Sequence, residues 1–375
     1  MKIVIAPVSD PNIFPGTLQS AVVIARSGHD VVFVSTFDIK DAGFAMEGVR
    51  FIKIDPVTGW RLRIPLIRTS VPGLLKFFLR ERPDWIIAQH EYILPSVLYR
   101  LLPGCRARVA ACFVDFDGHR RYVKALKPLA RVIDAYVDVC GMRVEWMKKV
   151  WPRMRARSFV IRNAVSRGTN RPHEPHEGPV RVVLTASAVL MKPSYVNPVR
   201  FFRFVTRLCA HGIALDWYVQ GDEQERAQAR ALCAHPLYRV CDPFAKTELL
   251  ARLRDYDVGL FWAPMADCDL SNHMHRSVFV SAASNKIGEY ISAGLALAHT
   301  GNPGLSYLPA ELCTALDATD PEAAADQLAA ALSDRAAVER MRMAALRYHQ
   351  EEMNFEAQAV PFVRYIEETA RTQPG

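Results

Sequence analysis

The segment from Ser281 to Gly304 carries a lysine and a glutamate whose spacing could serve chemistry. Lys286 and Glu289 are three residues apart, so on a helix they share one face. Either Ser284 or Asn285 can cap the start of that helix. A carboxylate at a strand-to-helix junction facing a cleft can accept hydrogen bonds from two vicinal hydroxyls, such as those of a ribose. The alternative interpretation is a surface glutamate on an amphipathic helix.

Gly288 lies inside the same predicted helix, residues Asn285–Ala293. A glycine in a helix interior costs roughly 1 kcal/mol relative to alanine, so it indicates the close approach of a neighbour or of a ligand. Gly294 then ends the helix, and the apolar run at 295–300 predicts a buried strand.

A second group of reactive side chains follows the predicted strand 108–114. Asp115, Asp117 and His119 are spaced at i, i+2 and i+4 in a loop that should line the cleft. Asp115 or Asp117 could accept the proton of an acceptor hydroxyl as a general base. The alternative is a loop of solvated charges.

Metal ligation is not predicted. His273 and His275 lie two apart in a loop and lack a third ligand nearby. The eight cysteines are scattered and form no C-x-x-C pair, so zinc ribbons and redox dithiols are not expected. We expect free thiols in a reducing compartment, no metal and no bound cofactor.

The first part of the chain alternates strands with helices. Apolar runs rich in β-branched residues predict buried strands at 2–8, 30–36, 51–54, 84–89, 108–114, 136–140 and 158–165. Helices are predicted at Thr17–Arg26 and Leu74–Arg82, which a glycine and a proline follow. This alternation predicts a doubly wound α/β domain over residues 1–165.

A second alternation begins after residues 166–179, a polar segment rich in proline and glycine that predicts a linker. Its elements are strands at 180–186, 214–221, 238–241, 257–263 and 295–300, and helices at 198–211, 222–234, 246–254 and 285–293. We therefore predict a second Rossmann-like domain at 180–350. The two domains should face a cleft that holds a ligand at the carboxyl ends of the strands. A helix within 351–375 is expected to return to the first domain.

Charge is unevenly distributed along the chain. Residues 1–175 carry 28 Lys and Arg against 15 Asp and Glu, whereas residues 176–375 carry 19 against 24. The stretches 61–82 and 143–171 are the most basic, and the second is interleaved with tryptophan, methionine and valine. A nucleic-acid surface would need a recognised module, and none is present. A solvated face and an anionic lipid surface, where each cation adds about 1 kcal/mol, stay open.

Several stretches resemble, in the expected order, landmarks of nucleotide-sugar glycosyltransferases with two Rossmann-like domains, the GT-B type, and specifically glycosyltransferase family 4. They are SGHDVVFVST (27–36), RPDWIIAQHEYILP (82–95), FVIRNAV (159–165), LDWYVQGDEQE (215–225) and ELLARLRDYDVGLFWA (248–263). The segment 281–304 is similar to the family's P-x-K-L-x-E-Y-x-A-x-G-x-P-V region. These landmarks run through most of the chain.

The resemblance implies roles for individual donor-side residues. Glu289 corresponds to the family's ribose-binding glutamate, and Lys192 to the lysine that contacts the donor diphosphate. Gly16 corresponds to the glycine that lets the backbone approach the donor phosphate or the acceptor. The stretch from Cys241 to Phe244 corresponds to the segment that holds the nucleotide base. Further donor-side positions are Ser187, Gly221, Asn285, Lys286, Asn302 and Gly304.

On the acceptor side, many family members place a histidine near the reacting sugar. His119 or His90 could fill this role, with Asp115 as the catalytic base.

Two positions depart from the family pattern. Seven residues before Glu289, where many members carry a second glutamate, stands Ala282, which excludes a donor-sugar contact by that carboxylate. Five residues before Lys192, where an arginine is frequent, stands Ser187. Anchoring of the diphosphate would then depend more on Lys192 and on Lys286.

The resemblance implies an enzyme that moves a sugar from a nucleotide-diphosphate donor, such as a UDP-sugar, to a glycan or lipid-linked acceptor. It implies retention of the anomeric configuration and a place in cell-surface polysaccharide or glycoconjugate synthesis. The alternatives are a nucleotide-sugar epimerase or hydrolase of the same fold, and a non-catalytic partner subunit. No signal peptide and no apolar run of about 18 residues is indicated, so we expect a cytoplasmic protein, peripheral on the inner face of the membrane, without a nucleic-acid partner.

Overall fold

The computed structural model describes residues 1–7, 16–35, 48–54, 71–113, 123, 126–169, 178–191, 196–243, 246–272 and 275–371. The chain divides into two compact units. The first comprises Met1–Arg162 with Phe355–Gly375, and the second comprises Asn163–Asn354. Each unit is built on one parallel sheet with helices, which confirms the predicted α/β fold with two doubly wound sheets.

In its described residues, the first unit contains seven strands: β1 (Lys2–Ala6), β2 (Asp30–Ser35), β3 (Val49–Lys53), β4 (Trp85–Gln89), β5 (Arg108–Phe113), β6 (Ala135–Asp138) and β7 (Arg157–Val160). Its helices are α1 (Gly16–Arg26), α2 (Val71–Glu81), α3 (Ile93–Arg100), α4 (Gly141–Val150) and α11 (Phe355–Arg371). The strands lie in the order β3-β2-β1-β4-β5-β6-β7, so the strand order reverses between β1 and β4.

Both faces of the first sheet are buried. Ile3 and Ile5 of β1 belong to one core, which contains residues of α1 and α11. Val4 and Ala6 belong to the core on the other face, which contains residues of α2, α3 and α4. A strand buried on both faces has no solvent-facing positions, which is why these strands appear in the sequence as continuous apolar runs.

Helix α11 packs against the first sheet, although it follows the second unit in the chain. The rings of Phe362 and Phe159 lie 5.2 Å apart, and those of Tyr365 and Trp85 lie 5.9 Å apart. The Tyr365 hydroxyl donates to the carbonyl of Asp134 at 3.1 Å. These contacts place α11 in the core of the first unit.

The basic stretch 143–171 is less amphipathic than its sequence indicates. Arg143 is fully buried and pairs with Asp138 at 3.0 Å, and Met147 and Trp151 lie in the core. The apolar side chains of Met147 and Trp151 therefore pack inside the first unit and do not form a surface that could face lipid. Exposed cations remain along its surface at Lys148, Lys149, Arg153, Arg155 and Arg157.

The second unit contains six strands in its described residues: β8 (Arg181–Ser187), β9 (Ala214–Gln220), β10 (Tyr238–Cys241), β11 (Val258–Phe261), β12 (Ala296–His299) and β13 (Cys313–Ala315). Its helices are α5 (Pro198–Ala210), α6 (Glu223–Ala231), α7 (Lys246–Leu253), α8 (Asn285–Ser292), α9 (Pro321–Ala331) and α10 (Arg335–Glu351). The order β10-β9-β8-β11-β12-β13 reverses between β8 and β11.

Candidate donor site in the second unit

Three predicted donor-side residues lie at the carboxyl edge of the second sheet. Ser187 is the last residue of β8, Gly221 follows β9, and Cys241 is the last residue of β10. The strand order reverses beside Ser187, between β8 and β11. In open α/β sheets, ligands bind outside the carboxyl ends of the strands at such a reversal. The topology therefore places these residues where a ligand is expected.

Helix α8 begins at the same edge, because a helix that joins two parallel strands runs back from the end of the first. Ser284 is the capping residue, and its hydroxyl accepts a hydrogen bond from the Lys286 amide at 3.3 Å. Asn285 is the first helical residue, so Ser284 takes the capping role that the sequence left open between the two. The exposed amides and the dipole of such a helix start favour an anion.

Lys286 and Glu289 lie one turn apart on α8, and both are half-buried. Burial lowers the pKa of the Lys286 ammonium to about 8, although the Glu289 carboxylate acts to raise it. A partly desolvated cation interacts with an added anion more strongly than a fully hydrated one does. Lys286 can therefore bind a phosphate through its positive charge, and the Glu289 carboxylate can accept hydrogen bonds from a diol.

Gly288 accommodates the chain's own backbone. A Cβ atom at this position would overlap the carbonyl oxygen of Asn163 and the Cα of Ala164. The Asn163 amide also donates to the carbonyl of Ala283 at 3.4 Å. The close approach that the glycine predicted is confirmed, and the neighbour is the segment 163–164, which was expected to continue strand β7.

Tyr290 fixes α8 to the sheet. Its hydroxyl accepts a hydrogen bond from the Thr185 amide at 2.8 Å and lies 2.9 Å from the Thr185 hydroxyl. Its ring occupies the space where a side chain at Gly259 of β11 would lie. Tyr290 is fully buried, and burial raises the pKa of its phenol. The helix that carries Lys286 and Glu289 is thus held against both strands at the reversal point.

The side chain of Asn302 forms hydrogen bonds inside the second unit. Its buried amide donates to the carbonyls of Ala263 and Phe279, both at 2.8 Å, and its oxygen accepts from the Thr300 hydroxyl at 3.1 Å. Gly304 is equally constrained, because a Cβ there would overlap the Ser281 backbone. Both predicted donor-side residues hold together the loops that follow β11 and β12.

Ala282 precedes α8 with a φ of 46°, a left-handed conformation that is uncommon outside glycine. Its side chain is buried, 3% exposed. Strained residues of this kind cluster at functional sites, and this one directs the chain into the capped start of α8. No sequence pattern indicated this strain.

His90 lies at the corresponding edge of the first unit. It follows β4, one of the two strands at the order reversal, with a φ of 43°. Its buried ring stacks edge-on against Phe113, with the ring centres 5.3 Å apart. Gly16 is the first residue of α1, which follows β1, the other strand at the reversal.

A buried polar group behind His90 was not predicted. Asp138, the last residue of β6, accepts a hydrogen bond from the Tyr136 hydroxyl at 2.5 Å and pairs with Arg143. Burial raises the pKa of Asp138, while Arg143 opposes the shift. Arg143 lies within 3.5 Å of the carbonyl of Phe113, the ring that contacts His90. The only signal in the sequence was an aspartate inside the apolar strand YVDVC.

Several predicted site residues lie outside the described residues: Asp115, Asp117, His119, Lys192, Phe244 and His273. Within the residues that the structure does describe, no group of three or more His, Cys, Asp and Glu side chains could hold a metal ion. No helix in the same part of the chain is long and apolar enough to cross a membrane.

Known structures share this fold over the whole chain. A glycosyltransferase from Rickettsia africae ESF-5 superimposes with a TM-score of 0.73 at 10% identity, covering 99% of both chains. Sucrose-phosphate synthase from Thermosynechococcus elongatus gives 0.67 at 13% identity and covers 100% of both. A Listeria monocytogenes structure named for UDP-N-acetylglucosamine 2-epimerase gives 0.61 at 15% identity, covering 100% of this chain and 99% of that chain.

These similarities define the class of fold as the GT-B type, with two Rossmann-like domains. No protein-family model matches the chain, and no curated protein sequence does.

Proposed function

We propose that the protein is a glycosyltransferase that binds a nucleotide-diphosphate sugar in the second unit and transfers the sugar to a glycan or lipid-linked acceptor. The observation that carries the proposal is the capped start of α8, with Lys286 and Glu289 on one face at the reversal point of the second sheet. The diphosphate would lie at the helix start and Lys286, and the ribose hydroxyls would donate to Glu289.

The chemistry proposed for these residues needs no metal. A leaving diphosphate gains negative charge in the transition state, and fixed cations such as Lys286 and Lys192 stabilise that charge. Retention of the anomeric configuration and a role in polysaccharide synthesis are further parts of the proposal, and they rest on the sequence resemblance. Uridine is the first base to test, since one structure of the same fold is named for a UDP-sugar enzyme.

Binding of nucleoside diphosphates to the full chain tests the donor site. Calorimetry with uridine, guanosine, thymidine and cytidine diphosphates should detect one preferred base. Glu289→Ala should weaken that binding about tenfold or more, because hydrogen bonds to a charged group contribute about 1.5–3 kcal/mol. Glu248→Ala, which removes an exposed glutamate from α7 of the same unit, is the matched control. The donor-site proposal fails if no diphosphate binds, or if Glu289→Ala binds as tightly as the native chain.

The epimerase or hydrolase alternative has its own support, because the L. monocytogenes structure covers the whole chain at a TM-score of 0.61. Product analysis separates the alternatives. Sugar released only to water identifies a hydrolase, and an isomerised nucleotide sugar identifies an epimerase. Nucleotide binding without any turnover of donor sugars identifies a non-catalytic partner subunit.

A further inference from the structure

A pocket rich in arginine lies beside β10, an edge strand of the second sheet. Its volume is about 560 Å³, within the range of small-molecule sites. Six charged residues line it: Arg181, Arg230, Arg239, Arg252, Asp216 and Asp255. Four cations thus face two anions, in the half of the chain where acidic residues are in excess.

The pocket lies away from the candidate donor site. Arg181 is the first residue of β8, whereas Ser187 is the last. At about 3.3 Å per residue, the two ends of this strand are roughly 20 Å apart. Cys241 is the only lining residue that also belongs to the predicted donor set.

Asp216 holds two of the four arginines in place. Its carboxylate accepts from Arg239 Nε at 2.8 Å, from Arg181 at 3.3 Å and from the Tyr256 hydroxyl at 2.7 Å. Although burial acts to raise it, hydrogen bonds from Arg239 and Tyr256 keep the pKa of Asp216 below its usual range. The Arg181 guanidinium also lies 4.6 Å from the centre of the Tyr256 ring. One carboxylate between two fixed guanidiniums leaves a net positive charge.

The other two arginines, Arg252 and Arg230, are held less firmly by their surroundings. Arg252 on α7 is exposed, and its guanidinium makes no hydrogen bond or ion pair with the residues that the structure describes. Arg230 on α6 pairs with Glu223 at 2.7 Å and with Asp242 at 3.8 Å, both at the solvent surface. Exposed pairs of this kind contribute little, so a ligand can replace them at low cost.

We propose that this pocket binds a small molecule bearing at least two phosphoryl groups, at a site separate from the donor site. Guanidinium groups bind phosphate oxygens through paired hydrogen bonds, which makes arginine the preferred residue for phosphoryl groups. Arg181 and Arg239, which Asp216 holds in place, would supply the positive charge that is already fixed before the ligand binds. Arg230 and Arg252 would close on the ligand from the two flanking helices.

Calorimetric titration of the full chain with inorganic pyrophosphate tests the site, and citrate serves as the carboxylate comparison. The native chain should bind pyrophosphate at least tenfold more tightly than citrate. Arg252→Ala should weaken pyrophosphate binding about tenfold, since hydrogen bonds to charged groups are worth that much or more. Arg340→Ala, which removes an exposed arginine from α10 of the same unit, should leave binding unchanged.

Lys286→Ala separates this site from the donor site, because pyrophosphate also resembles the diphosphate of a donor. The proposal predicts that Lys286→Ala retains pyrophosphate binding at the arginine pocket. It is overturned if Lys286→Ala abolishes binding while Arg252→Ala does not, if citrate binds equally well, or if pyrophosphate does not bind. None of these outcomes decides the donor-site proposal, which the binding of nucleoside diphosphates to the native chain and to Glu289→Ala tests separately.

Discussion

At the scale of single residues, Lys286 is in an environment that differs from that of an ordinary surface lysine. It occupies the second position of α8, where the helix dipole already favours anions, and it is half-buried. Burial brings its pKa down to about 8. A lysine in this state carries its charge at neutral pH and loses it in mildly alkaline solution.

This pKa predicts a pH dependence of nucleotide binding. Below about pH 8 Lys286 is protonated and the affinity for a nucleoside diphosphate should be constant. Above it the protein must take up a proton to bind, so affinity should fall by up to about tenfold per pH unit. Calorimetry between pH 7 and pH 10 measures this fall. Lys286→Arg, which stays charged, should flatten the profile; an equally steep fall in that variant would contradict the assignment.

Gly288 gives a stability prediction at the same scale. Gly288→Ala places a Cβ against the carbonyl of Asn163, so the segment 163–164 or α8 must shift. We expect a loss of about 1–3 kcal/mol in the free energy of unfolding of the second unit, as for other overpacked sites.

Urea denaturation measures that loss. Gly168→Ala is the matched control, since a Cβ there meets nothing within 4 Å. Equal effects of the two substitutions would show that the close contact at Gly288 does not matter.

The sequence predicted the role of a side chain only where residue type and local spacing together form a pattern. Lys286 and Glu289 were singled out because helix geometry links positions three apart. Gly288 was singled out because a glycine is unfavourable inside a helix. The role of Asn302 depends on partners distant in the chain, Ala263 and Phe279. The role of Asp138 depends on the burial of its pair with Arg143, which only the folded unit produces. Such contacts leave no local pattern, so the sequence could not reveal them.

At the scale of elements, the strands were the most predictable feature. Burial on both faces requires continuous apolar runs, and the run predicted at 84–89 contains β4, all five residues of which are buried. Strand β13 was missed because its three residues, Cys313–Ala315, are only partly buried and follow no pattern. A lipid surface stayed open for the stretch that contains α4, because the burial of Arg143 beside Asp138 is a tertiary effect that the sequence does not show.

Helix α11 gives a prediction about the first unit. Phe362 is 4% exposed and packs on Phe159, so Phe362→Ala should cost about 3–5 kcal/mol in the free energy of unfolding. Because α11 belongs to the first unit, that unit should lose stability while the second keeps its own.

Limited proteolysis with identification of the cut sites can follow the two units separately. Val360→Ala on the same helix is the control, since Val360 is 41% exposed. Cuts that appear first in the second unit would contradict this view of α11.

At the scale of the whole molecule, the excess of Lys and Arg in residues 1–175 favours an anionic partner. With Met147 and Trp151 in the core, the surface of the 143–171 stretch offers charge and little apolar area. We therefore propose a peripheral contact with anionic lipid that is mainly electrostatic.

Vesicle sedimentation tests that contact. Binding to vesicles with anionic lipid should exceed binding to neutral vesicles and should weaken as salt is raised. Changing Lys149, Arg153 and Arg155 to glutamine should reduce binding on the order of a hundredfold, at about 1 kcal/mol per cation. An electrostatic contact through this surface would be excluded if binding did not change with salt concentration, or if the triple variant bound as strongly as the native chain.

The chain passes from the first unit to the second after Arg162 and returns after Asn354. The second unit is therefore an insertion within the first. Protein synthesis proceeds from the amino end, so every residue of Asn163–Asn354 is added to the chain before the first residue of α11. The first unit therefore cannot complete its core, which contains Phe355, Phe362 and Ile366, until the whole second unit has been synthesised. The unit whose synthesis begins first is thus the unit whose synthesis ends last.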